Sequence, residues 1–168
     1  MTDTTTSDPG WNPLSKKAGE SDCPFCLISL GSSPARIVYE DPENLSFFPL
    51  SPAALGHTLV IPRRHFRDLL AVEPAAMNSL MDAVLRTANA INKQLHPDGM
   101  NFINSSGAAA TQTVPHVHFH IVPRWDNDSF GAIWPERAAF EAKRLDELAL
   151  KIRSVSNELP HRKSERQN

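Results

Sequence analysis

The segment His116-Val117-His118-Phe119-His120 sets three imidazoles at alternate positions. Extended chain turns successive side chains to opposite faces. The spacing therefore predicts a strand with the three histidines on one face and Val117, Phe119 and Ile121 on the other, toward a core. One metal ion does not readily take all three, because residues i and i+4 lie roughly 13 Å apart along a strand. Nitrogen ligands of zinc must each approach to about 2 Å. A row of imidazoles suits phosphate chemistry instead. Neutral imidazole is a nucleophile near pH 7, and its neighbours can donate hydrogen bonds to phosphate oxygens. His118 alone has a histidine on both sides and is the expected nucleophile. It needs one ring nitrogen held by an acceptor, so that the other presents its lone pair to phosphorus.

The second group with chemical potential is Cys23-Pro24-Phe25-Cys26. Two thiolates at this spacing can form half of a tetrahedral zinc site. The pair also resembles a glutaredoxin active site, with Thr113-Val114-Pro115 similar to that fold's proline segment. A redox pair should follow an apolar strand and cap a long helix. Here a polar tail precedes it and only Leu27 to Leu30 follow before Gly31.

These residues need elements to carry them. Arg36–Glu40 reads as a strand, Asp41-Pro42-Glu43-Asn44 as a turn, Leu45–Leu50 as a second strand, and His57–Ile61 as a third that ends at Pro62. Pro74–Leu95 reads as a long helix. Met77, Leu80, Met81, Val84, Leu85, Ala88, Ile91 and Leu95 fall on one face, and Pro74 stands where its missing N–H costs nothing. That face could serve the protomer's own core or an interface. Pro97-Asp98-Gly99 breaks the pattern. Met100–Asn104 reads as a strand, Ser105–Thr111 as a small-residue loop, Val114–Val122 as the histidine strand, and Pro135–Val155 as a C-terminal helix bearing Leu145, Leu148, Ile152 and Val155. Short strands around one long helix predict an antiparallel α+β domain. Residues 1–22 read as a disordered tail, 23–155 as the domain with its C-terminal helix, and 156–168 as a flexible end.

The 168 residues suit one domain, and a formal net charge of −2 argues against wholesale binding to nucleic acid or anionic membrane. No apolar run approaches the roughly 20 residues of a membrane helix. The polar N-terminus lacks the apolar stretch of a secretory signal, and two cysteines are too few for a secreted disulfide scaffold. The expectation is a cytoplasmic protein.

The run Gln112-Thr113-Val114-Pro115-His116-Val117-His118-Phe119-His120-Ile121-Val122-Pro123-Arg124 resembles the signature of the histidine triad (HIT) superfamily, His-φ-His-φ-His-φ-φ with φ apolar. Gly56-His57-Thr58-Leu59-Val60-Ile61-Pro62 is similar to that family's second block. The likeness runs in order from about Cys23 to Arg124. It implies an antiparallel sheet of about five strands with one long helix and a C-terminal helix, and a homodimer.

By this resemblance His118 attacks the α-phosphorus of a nucleotide conjugate and water releases the nucleoside monophosphate. His120 contacts phosphate, His57 supports the nucleophile, and Gln112 and Thr113 hold the α-phosphate. No catalytic metal is required. Phe48, Leu50 and Leu59 could line a base pocket or simply serve the core. Many bacterial members pair a similar Cys-x-x-Cys with two histidines around a structural zinc; the matching ligands are Cys23, Cys26, His65 and His116. The Gln-Thr-Val opening and Pro-Arg ending are closer to the dinucleoside polyphosphate-cleaving, Fhit-like branch than to the phosphoramidate-cleaving one. A nucleotidyl transferase or phosphorylase, or a nucleotide-binding sensor with little turnover, stays open. One departure bears on specificity. The family often has an acidic residue or Asn eight positions before the residue matching His57, where it holds the ribose hydroxyls. This chain has Pro49, with no side-chain acceptor, and Ser46 or Ser51 as nearby substitutes.

Overall fold

The computed structural model describes residues 22–131, 133 and 140–158. The chain divides into two units, Met1–Gly131 and Ala132–Asn168. In the first, strands β1 (Arg36–Glu40), β2 (Asn44–Phe48), β3 (Thr58–Pro62), β4 (Gly99–Ile103) and β5 (Phe119–Arg124) form one antiparallel sheet in the order β1-β2-β3-β5-β4. Helices α1 (Pro24–Ser29) and α2 (Pro74–Leu95) complete this unit, and α3 (Ala142–Glu158) belongs to the second. The α+β architecture expected from the sequence is the one observed.

The sheet has two apolar faces. Val60, Phe66, Val117 and Ile121 pack with Leu80, Ala83, Val84, Ala88 and Ile91 of α2. Fully burying a Leu, Val or Ile side chain contributes about 1.5–3 kcal/mol, so this stripe anchors α2 to the sheet. The predicted face of α2 is thus largely spent on the protomer's own core, and Leu85 remains 57% exposed at its margin. On the other face Leu45, Phe47, Leu59 and Ile61 pack with Cys23, Phe25 and Cys26. The helix α2 starts at Pro74 as expected. It ends where His96 adopts the left-handed conformation (φ 48°) ahead of Pro97.

Four strands differ from expectation in their bounds, three of them for a local reason. β2 stops at Phe48 because Pro49 offers no N–H to the ladder. β3 starts at Thr58 because the His57 N–H turns back to the Ala54 carbonyl (3.1 Å). β4 ends at Ile103, one residue early. β5 starts at Phe119 rather than Val114, and runs on to Arg124. Pro115 cannot donate, the His116 N–H bonds the Val114 carbonyl (2.8 Å), and the Val117 N–H reaches the Phe66 carbonyl (2.7 Å).

Gly56, immediately before His57, has φ +80°, and a side chain there would collide with Leu95 of α2. The positive φ is what favours glycine here, since the tip of the Leu95 side chain can shift. The apolar stretch after the cysteines is the helix α1, begun by Pro24 and closed at Leu30. Its six residues are far from the long helix a redox pair would cap.

In the second unit, α3 carries Leu145, Leu148, Ile152 and Val155 on one face, 49–57% exposed. It runs to Glu158, three residues past the expected end. The expected start of this helix near Pro135, the tail 1–21 and residues 159–168 lie outside the described residues. Among the described residues no helix is long and apolar enough to cross a membrane.

Candidate functional site

The imidazoles are positioned from three directions. His57 is carried by the turn into β3, His120 by β5, and His116 and His118 by the segment that feeds β5. Although that segment is not strand, its alternation survives. Val117 and Ile121 enter the α2 core, while His116 and His118 meet the edge of Phe25 on the opposite face, at 5.8 and 5.2 Å between ring centroids. The His118 and His120 rings lie 4.9 Å apart and those of His57 and His120 5.1 Å apart.

Hydrogen bonds fix the tautomers. The Nδ1–H of His118 donates to the backbone carbonyl of His116 at 2.7 Å, leaving the Nε2 lone pair unspent. The Ala53 N–H donates into Nδ1 of His57 (2.9 Å). Neutral His57 therefore carries its proton on Nε2 and donates it to Nδ1 of His120 (2.9 Å). The proton of neutral His120 then sits on Nε2, a donor on the far side of the ring. Burial holds the rings neutral. It lowers the pKa of His118 and of His57, and lowers that of His120 to about 4, with help from the neighbouring His118 and His57. The result is a neutral imidazole with an open Nε2 beside a neutral donor at pH 7.

The first triad histidine does different work. Cys23, Cys26, His65 and His116 bring their ligand atoms within 4.8 Å of one another. Nδ1 of His116 lies 3.5 Å from Sγ of Cys23 and 3.6 Å from Sγ of Cys26, and Nδ1 of His65 lies 3.3 Å from Sγ of Cys26. Tetrahedral zinc with its usual bond lengths separates S and N ligands by about 3.5 Å. The Nε2–H of His116 donates to the Pro62 carbonyl at 2.9 Å, so Nδ1 offers its lone pair to the thiols. A ring oriented by a backbone carbonyl is the usual outer support of a metal-bound imidazole. Burial also lowers the pKa of His116 to about 4, keeping it neutral as a ligand must be. The four residues fit a zinc ion.

The remaining expected site residues are dispersed. Thr113 is exposed on the loop before the triad. Gln112 is committed to that loop: its Nε2 donates to the carbonyls of Arg67 (2.7 Å) and Val114 (3.0 Å), and its Oε1 accepts the Gly107 N–H (2.7 Å). Both amide donors are used, so Gln112 donates to a phosphate only by giving one up. Alternation sets Phe48 on the α2 side with Ser46. The side chains of β2 and β3 that share the histidine face are Leu45, Phe47, Leu59 and Ile61. Leu59 is 5% exposed and belongs to the core. Leu50 lies beyond the end of β2, not on it, and is 95% exposed. Ser46 is fully buried against Thr87 of α2 (2.8 Å) and offers nothing to a ligand on the histidine face.

Three contributors were not legible from sequence. Ala53 acts through its backbone N–H, which no side-chain pattern reports. Phe25 was hidden inside the cysteine motif. Asn104, whose Nδ2 donates to the His118 carbonyl (2.9 Å), carries in sequence only the mark of a strand end.

Comparison with known proteins agrees with this arrangement. Residues 31–127 match the HIT domain family model. The chain is 39% identical over 118 residues to Protein hit of Bacillus subtilis, covering 70% of this chain and 81% of that one. It is 33% identical over 132 residues to adenylylsulfatase HINT3 of Arabidopsis thaliana, covering 79% and 67%. A zinc-bound histidine triad family protein from Mycobacterium smegmatis superposes with a TM-score of 0.63 at 36% identity, covering 82% of this chain and 99% of that one. With its histidine row, sheet order and relatives in agreement, the chain belongs to the HIT family.

Proposed function

We propose that this protein is a nucleotide hydrolase of the zinc-containing, Fhit-like kind. It cleaves a nucleotide conjugate, such as a dinucleoside polyphosphate, at the α-phosphate through a nucleotidyl-His118 intermediate. The observation that carries the proposal is the Nδ1–H of His118 held by the His116 carbonyl, which leaves Nε2 as the attacking lone pair. As Nε2 bonds to phosphorus and the bond to the leaving oxygen breaks, the ring becomes cationic, and that carbonyl stabilises the charge. The Nε2–H of His120, set by His57, donates a hydrogen bond to a phosphate oxygen. Thr113 adds its hydroxyl, and Gln112 supports the phosphate site by holding its loop. Water then attacks phosphorus, the P–N bond breaks, and the nucleoside monophosphate leaves. Of the expected base contacts, Leu50, exposed beyond the end of β2, stays available, while Phe48 lies on the α2 side. A catalytic metal has no assigned part in these steps.

The zinc is structural. Held by Cys23, Cys26, His65 and His116, it pins α1 beside the entry to β5. A second copy of the chain completes a homodimer along the open edge of β4, where Phe102 (49% exposed) and Leu85 (57% exposed) flank a groove shared with Asn89 and Met100. The setting is the cytoplasm, with no nucleic-acid or membrane partner.

The HINT3 relative supports adenylyl sulfate as a second substrate to try. Turnover of diadenosine polyphosphate and of adenylyl sulfate, followed as nucleoside monophosphate release with and without inorganic phosphate, separates hydrolase from phosphorylase. In His118→Ala, turnover should fall to a trace while the fold and nucleotide binding persist. Activity within about tenfold of wild type in that variant would contradict covalent catalysis by His118.

A further inference from the structure

The nucleophile sits just past the end of the sheet. The last register pair between β4 and β5 is Ile103 with His120, and the last between β3 and β5 is Val60 with Phe119. Neither ladder reaches His118, so its backbone lacks the cross-strand bonds that fix its neighbours. Such a residue is free to shift, and attack on phosphorus tolerates little misplacement. Asn104, the first residue beyond β4, supplies the missing bond. Its Nδ2 donates to the His118 carbonyl at 2.9 Å, in place of the ladder that stops one residue earlier. The amide is itself oriented. Its Oδ1 accepts the Ser106 hydroxyl (3.2 Å), and that hydroxyl accepts the Leu69 N–H (3.3 Å). These partners also settle which amide atom is the donor, since a carbonyl can only accept.

The structure assigns Asn104 as a positioning residue that extends the sheet by one side-chain bond and thereby aims the His118 ring. The role rests on the nucleophile assigned above. It differs from that of a substrate ligand, because Asn104 acts through the His118 backbone and not on phosphate.

Asn104→Asp keeps the shape and the acceptor for Ser106 but removes the donor to His118. Asn104→Ala removes both bonds and serves as the second variant should the carboxylate disturb folding. Each is checked for unchanged circular dichroism and metal content in the full chain. The expected result is a kcat about tenfold to a hundredfold lower, with the Kd for adenosine monophosphate within about twofold of wild type.

Nitrogen-15 NMR of the ligand-free protein reads the ring itself. Wild type should show His118 as a single Nδ1–H tautomer, and the variants should show a mixture. This readout does not depend on turnover, so it stands even if the wild-type chain proves not to hydrolyse nucleotides. An unchanged kcat in an active enzyme would overturn the assignment. So would an unchanged tautomer signal. Parallel losses in Kd and kcat with His118 unmoved would make Asn104 a substrate contact and overturn it as well.

Discussion

At the scale of single residues, the site is defined less by which side chains are present than by which of their atoms are already bonded. Three histidines at alternate positions look equivalent in sequence, yet their partners separate them. His116 faces two thiols, His118 has an unspent Nε2, and His120 is turned into a donor by His57. The triad and its central nucleophile candidate were legible because alternation fixes which residues share a face. The tautomers were not, because they depend on the backbone groups of Pro62, His116 and Ala53, which carry no mark in sequence.

Pro49 supports a prediction at this scale. It follows β2, the one serine of that strand is buried on the other face, and Ser51 alone remains exposed nearby. A missing charge-assisted hydrogen bond to ribose costs about 1.5–3 kcal/mol, roughly tenfold to a hundredfold in affinity. Weak discrimination between matched ribo and 2′-deoxy substrates is therefore expected in kcat/KM, and Pro49→Asp should raise the ribo preference. An unchanged ratio in the folded variant would show that this position does not face the sugar.

At the scale of elements, periodicity predicted whatever tertiary packing enforces. The apolar repeat of α2 gave both ends correctly because most of the stripe packs against the sheet, and β1 matched for its full length. Boundaries slipped where backbone N–H groups find partners outside the ladder, at His57, His116 and Val117. The short helix α1 was not foreseen, because six residues are too few to show a helical period. This helix docks through Cys23, Phe25 and Cys26, and the two cysteines belong to the Cys–His cluster, so the metal site should matter most there. Cys23→Ser is expected to lower bound zinc from about one per chain and to lower Tm with it, since metal binding free energy contributes directly to folding. Wild-type protein that is metal-free by elemental analysis and melts at the same temperature with and without added zinc would contradict a structural ion.

At the scale of the molecule, one sheet separates two tasks. Its α2 face is an ordinary apolar core, and its other face carries the histidines and the thiol cluster. Because His116 and His118 are two residues apart on one segment, the Cys–His cluster and the imidazole with the open Nε2 share a single backbone anchor. Val117, between them, is fully buried and bonded to Phe66 next to His65. The overall class was legible from element order. The placement of Leu50 was not, because β2 ends at Phe48 and leaves Leu50 outside the strand expected to carry it.

The central claim is a covalent bond between Nε2 of His118 and the α-phosphorus of a nucleotide. Intact-protein and peptide mass spectrometry after rapid quenching of a reaction with diadenosine polyphosphate tests it most directly. The account predicts a transient gain of one nucleoside monophosphate residue per chain, acid-labile, mapping to His118 and absent in His118→Ala. Full turnover with no such adduct at any quench time, or an adduct on another residue, would contradict it.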